Sequence, residues 1–214
     1  MQTPRISKVT LWPTTVMYAE YMGEEVARHN KSLEELVIAG CKVQDDPAGE
    51  FRLTSLEQSD SPAVTWLVDQ VAKMSAEFCG FPSTHGIEVT LRGIALRKFN
   101  HISTHDETAE SDLGVAYWPS GSTDQIGSKI NQRANGVDSP IFKLEDPSRL
   151  ISGLRLPMES QHSVDACPRP GLMAVYPAHL PHNMHPYRGD KTFVHIVAQV
   201  RMPWPKNYSK GRYD

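Results

Sequence analysis

No cysteine pattern organises this chain. Its three cysteines, Cys41, Cys79 and Cys167, are odd in number, far apart and without C-x-x-C spacing. That excludes a disulfide framework and a sulfur-ligated zinc site, and it suits a reducing compartment. Runs of lysine or arginine are also missing, and the formal net charge is only −3, so there is no electrostatic footprint for nucleic acid or an anionic membrane. No apolar stretch approaches a membrane span, and the opening MQTPRISKVTLWPTTVMYAEYMG has no apolar core behind basic residues. A cytoplasmic, soluble protein acting on a small molecule or a protein is expected. The G-x-S-x-G elbow, the Walker pattern and the dinucleotide glycine pattern are all absent, which removes the usual support for nucleophilic or nucleotide chemistry.

Proline, by contrast, is plentiful, with 16 among 214 residues, and favours a β-rich fold with long connections. The length suits a single domain, 1–214. After a strand-like KVTLW, the run GEEVARHNKSLEELVIAG places Val26, Leu33, Leu36 and Val37 near helical spacing, with Gly40 as a stop. A second helix is predicted in SPAVTWLVDQVAKMSAEFCG. There Ser61 can cap, Pro62 fits the first turn, Gly80 fits the end, and Val64, Leu67, Val68, Val71, Met74 and Phe78 form an apolar stripe for the core.

From Ile87 the period changes to two. IEVTLRGIALRKF alternates on either side of Gly93, which predicts a strand with a bulge or bend at that glycine. LGVAYW, PIFKL, GLMAVYP and TFVHIVAQVRM are further strand candidates. Helices followed by short strands argue for an antiparallel sandwich or barrel with helices outside: a helical support over about 1–85 and a β core over about 86–204. Two long irregular loops, PSGSTDQIGSKINQRANGVDSP and SGLRLPMESQHSVDACPRPG, are candidates for site covers or plain insertions.

Chemistry concentrates in HISTHDETAESDLGVAYW. In an extended segment His105 and Glu107 share one face while Asp106 points away. Two imidazoles and one carboxylate suit a metal that must keep positions open for oxygen and a substrate. A distal histidine is therefore required, and GLMAVYPAHLPHNMHPYRGD offers His179, His182 and His185 after a buried-looking strand.

Taken together, HDETAESDLGVAYW, PIFKLEDPSRL and GLMAVYPAHLPHNMHPYRGDKTFVHIVAQV resemble a family of 2-oxoglutarate–Fe(II) oxygenases related to prolyl hydroxylases, of bacterial and phage type; LWPTTV and the helix after it extend the likeness toward the N-terminus. The resemblance implies a mainly β, double-stranded β-helix (jelly-roll, cupin-like) fold with outer helices. It implies Fe(II) on His105, Glu107 and His182, the last placed by the Pro186–Tyr187 pair that follows it. It also implies 2-oxoglutarate and O2 as cosubstrates, and hydroxylation of a small-molecule or peptidyl substrate. His101, His179 and His185 are then either groups beside the metal or surface histidines.

The chain diverges from the family where 2-oxoglutarate is anchored. Phe193 and His195 stand where a cation and a small hydroxyl residue are expected, and neither replaces a guanidinium fork. Lys191, Arg97 and Arg201 are the candidate cations, with His195 beside them as a cofactor-binding position. An alternative keeps the iron, drops 2-oxoglutarate and lets the substrate bind the metal directly. A binding module or non-redox metal protein of the same fold is a third reading. Tyr117, Trp118 and Tyr176 either line a pocket or pack in the core.

Overall fold

The computed structural model describes residues 4–11, 14–41, 51–107, 111–121, 140–145 and 163–204. Residues 122–139 and 152–162, most of the two long loops, lie outside the described residues, as do Trp12 and Pro13 of LWPTTV.

The chain opens with a hairpin, β1 (Arg5–Leu11) and β2 (Thr14–Glu20), so strands precede the helices. This corrects the expected order of helices first. Helix α1 (Glu24–Cys41), strand β3 (Phe51–Leu53) and helix α2 (Pro62–Cys79) follow, then β4 (Glu88–Leu96), β5 (Ile102–His105), β6 (Leu113–Trp118), β7 (Phe142–Glu145), β8 (Ser163–Ala166), β9 (Leu172–Pro177), β10 (His182–Met184) and β11 (Phe193–Arg201). They form a seven-stranded sheet in the order β1-β2-β9-β6-β11-β4-β3 and a four-stranded sheet in the order β5-β10-β7-β8.

Helix α2 begins and ends as the sequence predicts, whereas α1 runs through Gly40 to Cys41, the glycine making room for Leu53 instead of ending the helix. Pro62 opens α2, and Gly80, at φ 71°, closes it in the left-handed conformation while donating its N–H to the last turn. Ser61 does not cap with its side chain; its carbonyl accepts the N–H groups of Val64 and Thr65 instead.

The large sheet has two buried faces because each strand alternates. Leu113, Val115 and Tyr117 of β6, with Val194, Ile196, Ala198 and Val200 of β11, pack with Leu33, Val37, Leu67 and Val71 of the helices. Tyr117 therefore belongs to the helix-side core, where its hydroxyl donates to Asn30 Oδ1. The opposite face carries Ala116, Trp118, Ala174, Tyr176, Phe193 and Val197, which meet Ile102, Phe142, Leu144 and Met184 of the small sheet. The molecule thus has three layers, with helices outside and an intersheet space within.

Gly93 corrects a second expectation. Strand β4 runs unbroken past it, paired with β11 from Leu96–Phe193 to Glu88–Arg201. A Cβ on Gly93 would lie 2.6 Å from Val37 Cγ2, so the glycine admits α1 against the sheet rather than bending the strand.

Candidate metal site

Strands β5 and β10 are neighbours, and their register sets His182 opposite His105. The two rings sit 4.3 Å apart between centroids. Glu107 follows the end of β5 and is fixed by its own backbone, whose N–H bonds the carbonyl of Ala178 at 2.9 Å. One ligand atom from each of His105, Glu107 and His182 falls within 4.8 Å of the other two.

The surroundings decide which atoms are available. His105 Nδ1 lies 2.8 Å from the carbonyl of Ser103, and His182 Nδ1 lies 3.0 Å from that of Leu180. A carbonyl only accepts, so each Nδ1 carries the proton and each neutral ring keeps its lone pair on Nε2. His105 Nε2 is 3.5 Å from Glu107 Oε1, and the Tyr176 hydroxyl lies 3.3 Å from His182 Nε2.

Glu107 is buried and its two oxygens differ. Oε2 accepts a hydrogen bond from the side-chain amide of Gln199, whereas buried Oε1 has no hydrogen-bond partner among the described residues. An orphaned carboxylate oxygen between two imidazole lone pairs is costly without a cation. The donor set of two nitrogens and one oxygen suits a divalent metal such as Fe(II).

Charges follow from these contacts. The Glu107 carboxylate beside it raises the His105 pKa above its ordinary value, since a proton taken up at Nε2 would be shared with Oε1. Burial pushes Glu107 up, but the nearby His105 ring and the hydrogen bond from Gln199 outweigh it and hold the carboxyl below the usual range. Burial lowers His182 to about 4 and His195 to about 3.

The last two shifts have a consequence for acid stability. A buried neutral histidine takes up its proton more readily when unfolded, so the folded state loses stability as pH falls from about 6.5 toward 3. His195→Phe should move the acid-unfolding midpoint to lower pH, as followed by circular dichroism. An unchanged midpoint would show that His195 contributes no such penalty.

Gln199 was not singled out from sequence, because a lone glutamine on a strand carries no motif. It lies on β11 opposite Gly114, and Gly114 lies opposite Tyr176, so one row of the sheet supplies both contacts to the triad. Gln199→Leu leaves Glu107 Oε2 without its donor, and metal affinity should fall by roughly 10–100-fold. Competition with a chelator of known affinity measures it; an unchanged affinity would remove Gln199 from the site.

The other expected positions spread out. Lys191 is exposed ahead of β11, in a surface depression with Glu34, Asp190 and Phe193 at the end of the strand away from Gln199. Arg97 is exposed just beyond β4, and Arg201 is exposed at the end of β11. His101, His179 and His185 are exposed and stand outside the triad. Phe193 is buried against Tyr187. His195 is inside, its ring stacked on Trp118 at 5.6 Å. Trp118 and Tyr176 face the intersheet space, as the pocket reading requires, while packing there as core.

No family model and no curated protein matches the chain, but solved structures do. AviO1 from Streptomyces viridochromogenes Tue57 superposes with a TM-score of 0.60 at 13% identity, over 87% of this chain and 90% of that one. A Pseudomonas putida prolyl-4-hydroxylase gives 0.58 at 11% identity, over 94% and 95%. The epimerase SnoN, in complex with Fe3+, alpha ketoglutarate and nogalamycin RO, gives 0.60 at 12%, over 87% and 78%. The shared fold is the jelly roll. In this jelly roll, the triad sits where the small sheet faces the row Tyr176, Gly114 and Gln199 of the large one.

Proposed function

We propose that this protein is a non-heme Fe(II)- and 2-oxoglutarate-dependent oxygenase that hydroxylates a small-molecule or peptidyl substrate. It would act as a cytoplasmic single domain, 1–214, with its N-terminal part supporting the metal-binding β core. The observation that carries the reading is the triad itself: two histidines whose Nδ1 atoms are committed to backbone carbonyls, and a buried carboxylate with one orphaned oxygen. Iron with 2-oxoglutarate supplies oxidation by O2, the cosubstrate leaving as succinate and carbon dioxide.

The chain's own residues prepare that chemistry. His105, Glu107 and His182 would hold the metal from one side, leaving the other side for ligands. Gln199 orients the Glu107 carboxylate, and Tyr176 packs on His182 with ring centroids 5.0 Å apart. Phe142 and Trp118 line the adjoining space and exclude water, which strengthens every polar contact inside it. Two structures of similar fold, SnoN in complex with Fe3+ and alpha ketoglutarate and EvdO2 from Micromonospora carbonacea var. aurantiaca complexed with 2-oxoglutarate, support the cofactor assignment.

The test is an anaerobic titration of metal-free protein with Fe(II) and then 2-oxoglutarate, followed through the weak visible absorption of the chelate. The band should develop in the wild type and be lost in His182→Ala. Iron binding without a band favours the second reading, an oxygenase whose substrate meets the metal directly, which the Phe193 and His195 substitutions motivate. Oxygen uptake without succinate would then follow. Absence of iron binding would overturn both.

A further inference from the structure

The connection from β4 to β5, RKFNH over 97–101, crosses from the large sheet to the small one. The Asn100 N–H closes a turn on the Arg97 carbonyl at 2.9 Å, and the Arg97 N–H returns to Asn100 Oδ1 at 2.8 Å. Phe99, third in that turn, has φ 71°, in the left-handed region where type II turns take glycine. A bulky side chain is strained there. Burial gives nothing back, because the ring is 70% exposed, beyond Met22 at 50% and Ile6 at 37%.

The turn is held firmly in this conformation. Phe99 donates its N–H to the Tyr187 carbonyl at 2.6 Å, and Tyr187 donates its own to the Asn100 carbonyl at 2.9 Å. Lys98 pairs with Asp190 at 2.6 Å, and its ammonium lies 5.9 Å from the centre of the Phe99 ring. The ring is thus presented in a fixed place beside the strap 187–191. Backbone strain that the surroundings impose on an exposed aromatic residue points to a use outside the fold. Charge gathers at the same place: Arg97, Lys98, Arg188 and Lys191 are all exposed, facing Asp190 in the strap and Glu34 beside Lys191. The chain as a whole carries −3, so this cationic patch runs against the overall sign.

We infer that Phe99, with Arg97, Lys98 and Arg188 around it, is a docking site for an acidic segment of a partner polypeptide, one apolar side chain of which covers the ring. Aromatic rings and arginines are the side chains that most often anchor protein contacts. A short acidic segment meets only this patch, whereas a membrane plane or a nucleic acid meets more of a molecule whose net charge is negative. Charge complementarity therefore selects the polypeptide.

Position relates the site to the triad. Strand β5 starts just after the turn and ends at His105, so Phe99 and His105 are separated by at most about 20 Å of extended chain. A partner held at Phe99 is kept close to the candidate metal site. The docking contact itself needs no metal, and it is independent of the oxygenase reading.

The experiment measures fluorescence anisotropy of a short labelled peptide of glutamates with leucine at its centre, against a counterpart with glutamine for glutamate. Vesicles of phosphatidylserine in phosphatidylcholine are the third probe. At low salt the glutamate peptide should bind wild type at least about tenfold tighter than the glutamine one, and Phe99→Gly and Arg188→Glu should each weaken it at least about tenfold. Phe99→Gly should melt at or above the wild-type Tm, since glycine takes the left-handed backbone without strain, which separates a lost contact from a lost fold. Equal affinity for the two peptides, binding of neither, or unchanged binding in Phe99→Gly would overturn the site. A lower Tm in Phe99→Gly would assign the ring to the fold instead. Vesicle binding that exceeds peptide binding and depends on Phe99 would replace the polypeptide by a membrane surface and overturn the inference as well.

Discussion

Glu107→Gln is expected to reduce Fe(II) affinity by at least about 100-fold, since even outer partners of metal ligands typically cost 10–100-fold when replaced. The substitution preserves shape and removes the anionic oxygen that has no partner in the metal-free fold. The metal-free protein should melt somewhat below wild type, because the ionised carboxyl is favoured in the fold by His105 and Gln199. Added Fe(II) should raise the Tm of wild type, because a ligand bound only by the native state stabilises it, and should leave the variant's Tm unmoved. An equal rise in both proteins would show that Glu107 is not a ligand.

Gly114→Val should do comparable damage by a different route. A Cβ at Gly114 would lie 2.8 Å from Tyr176 Cζ and closer still to the ring edge, and Tyr176 is fully buried. The ring cannot yield toward Phe142, whose centroid is 5.8 Å away. Overpacking of this kind typically costs 1–3 kcal/mol, and the displaced Tyr176 ring disturbs the His182 imidazole packed against it at 5.0 Å between centroids. Denaturant unfolding should show the destabilisation and chelator competition the weakened metal site. Gly114→Val combined with Tyr176→Leu should recover stability but not the contact to His182. If the single variant matches wild type in both measurements, the close approach of Tyr176 does not matter.

The legible and illegible parts of this chain separate by range. Helix α2 could be read because its signals are local: Pro62 at one end, Gly80 at the other, and an apolar stripe between them. His105 and Glu107 share a segment, and His182 follows from the histidine cluster and the family resemblance. The contacts that hold these groups in place could not be read, because they depend on which strands become neighbours. Gln199 meets Glu107 only through the pairing of β11 with β6 and the facing of the two sheets. Gly93 was misread for the same reason: the strand alone suggests a bend, while the explanation is Val37 on a helix more than fifty residues earlier. Strand β2 escaped notice because TTVMYAE alternates weakly, and its place is fixed by β9 near the other end of the chain.

That last pairing bears on how the chain assembles. Met17 sits beside Val175, so the β1–β2 hairpin waits for β9, far along the chain, before its inner edge is covered. Until then it presents unpaired N–H and C=O groups, the usual template for intermolecular strand addition. Contacts spanning such separations also slow folding. Chains arrested before residue 172 should therefore be aggregation-prone and chaperone-dependent.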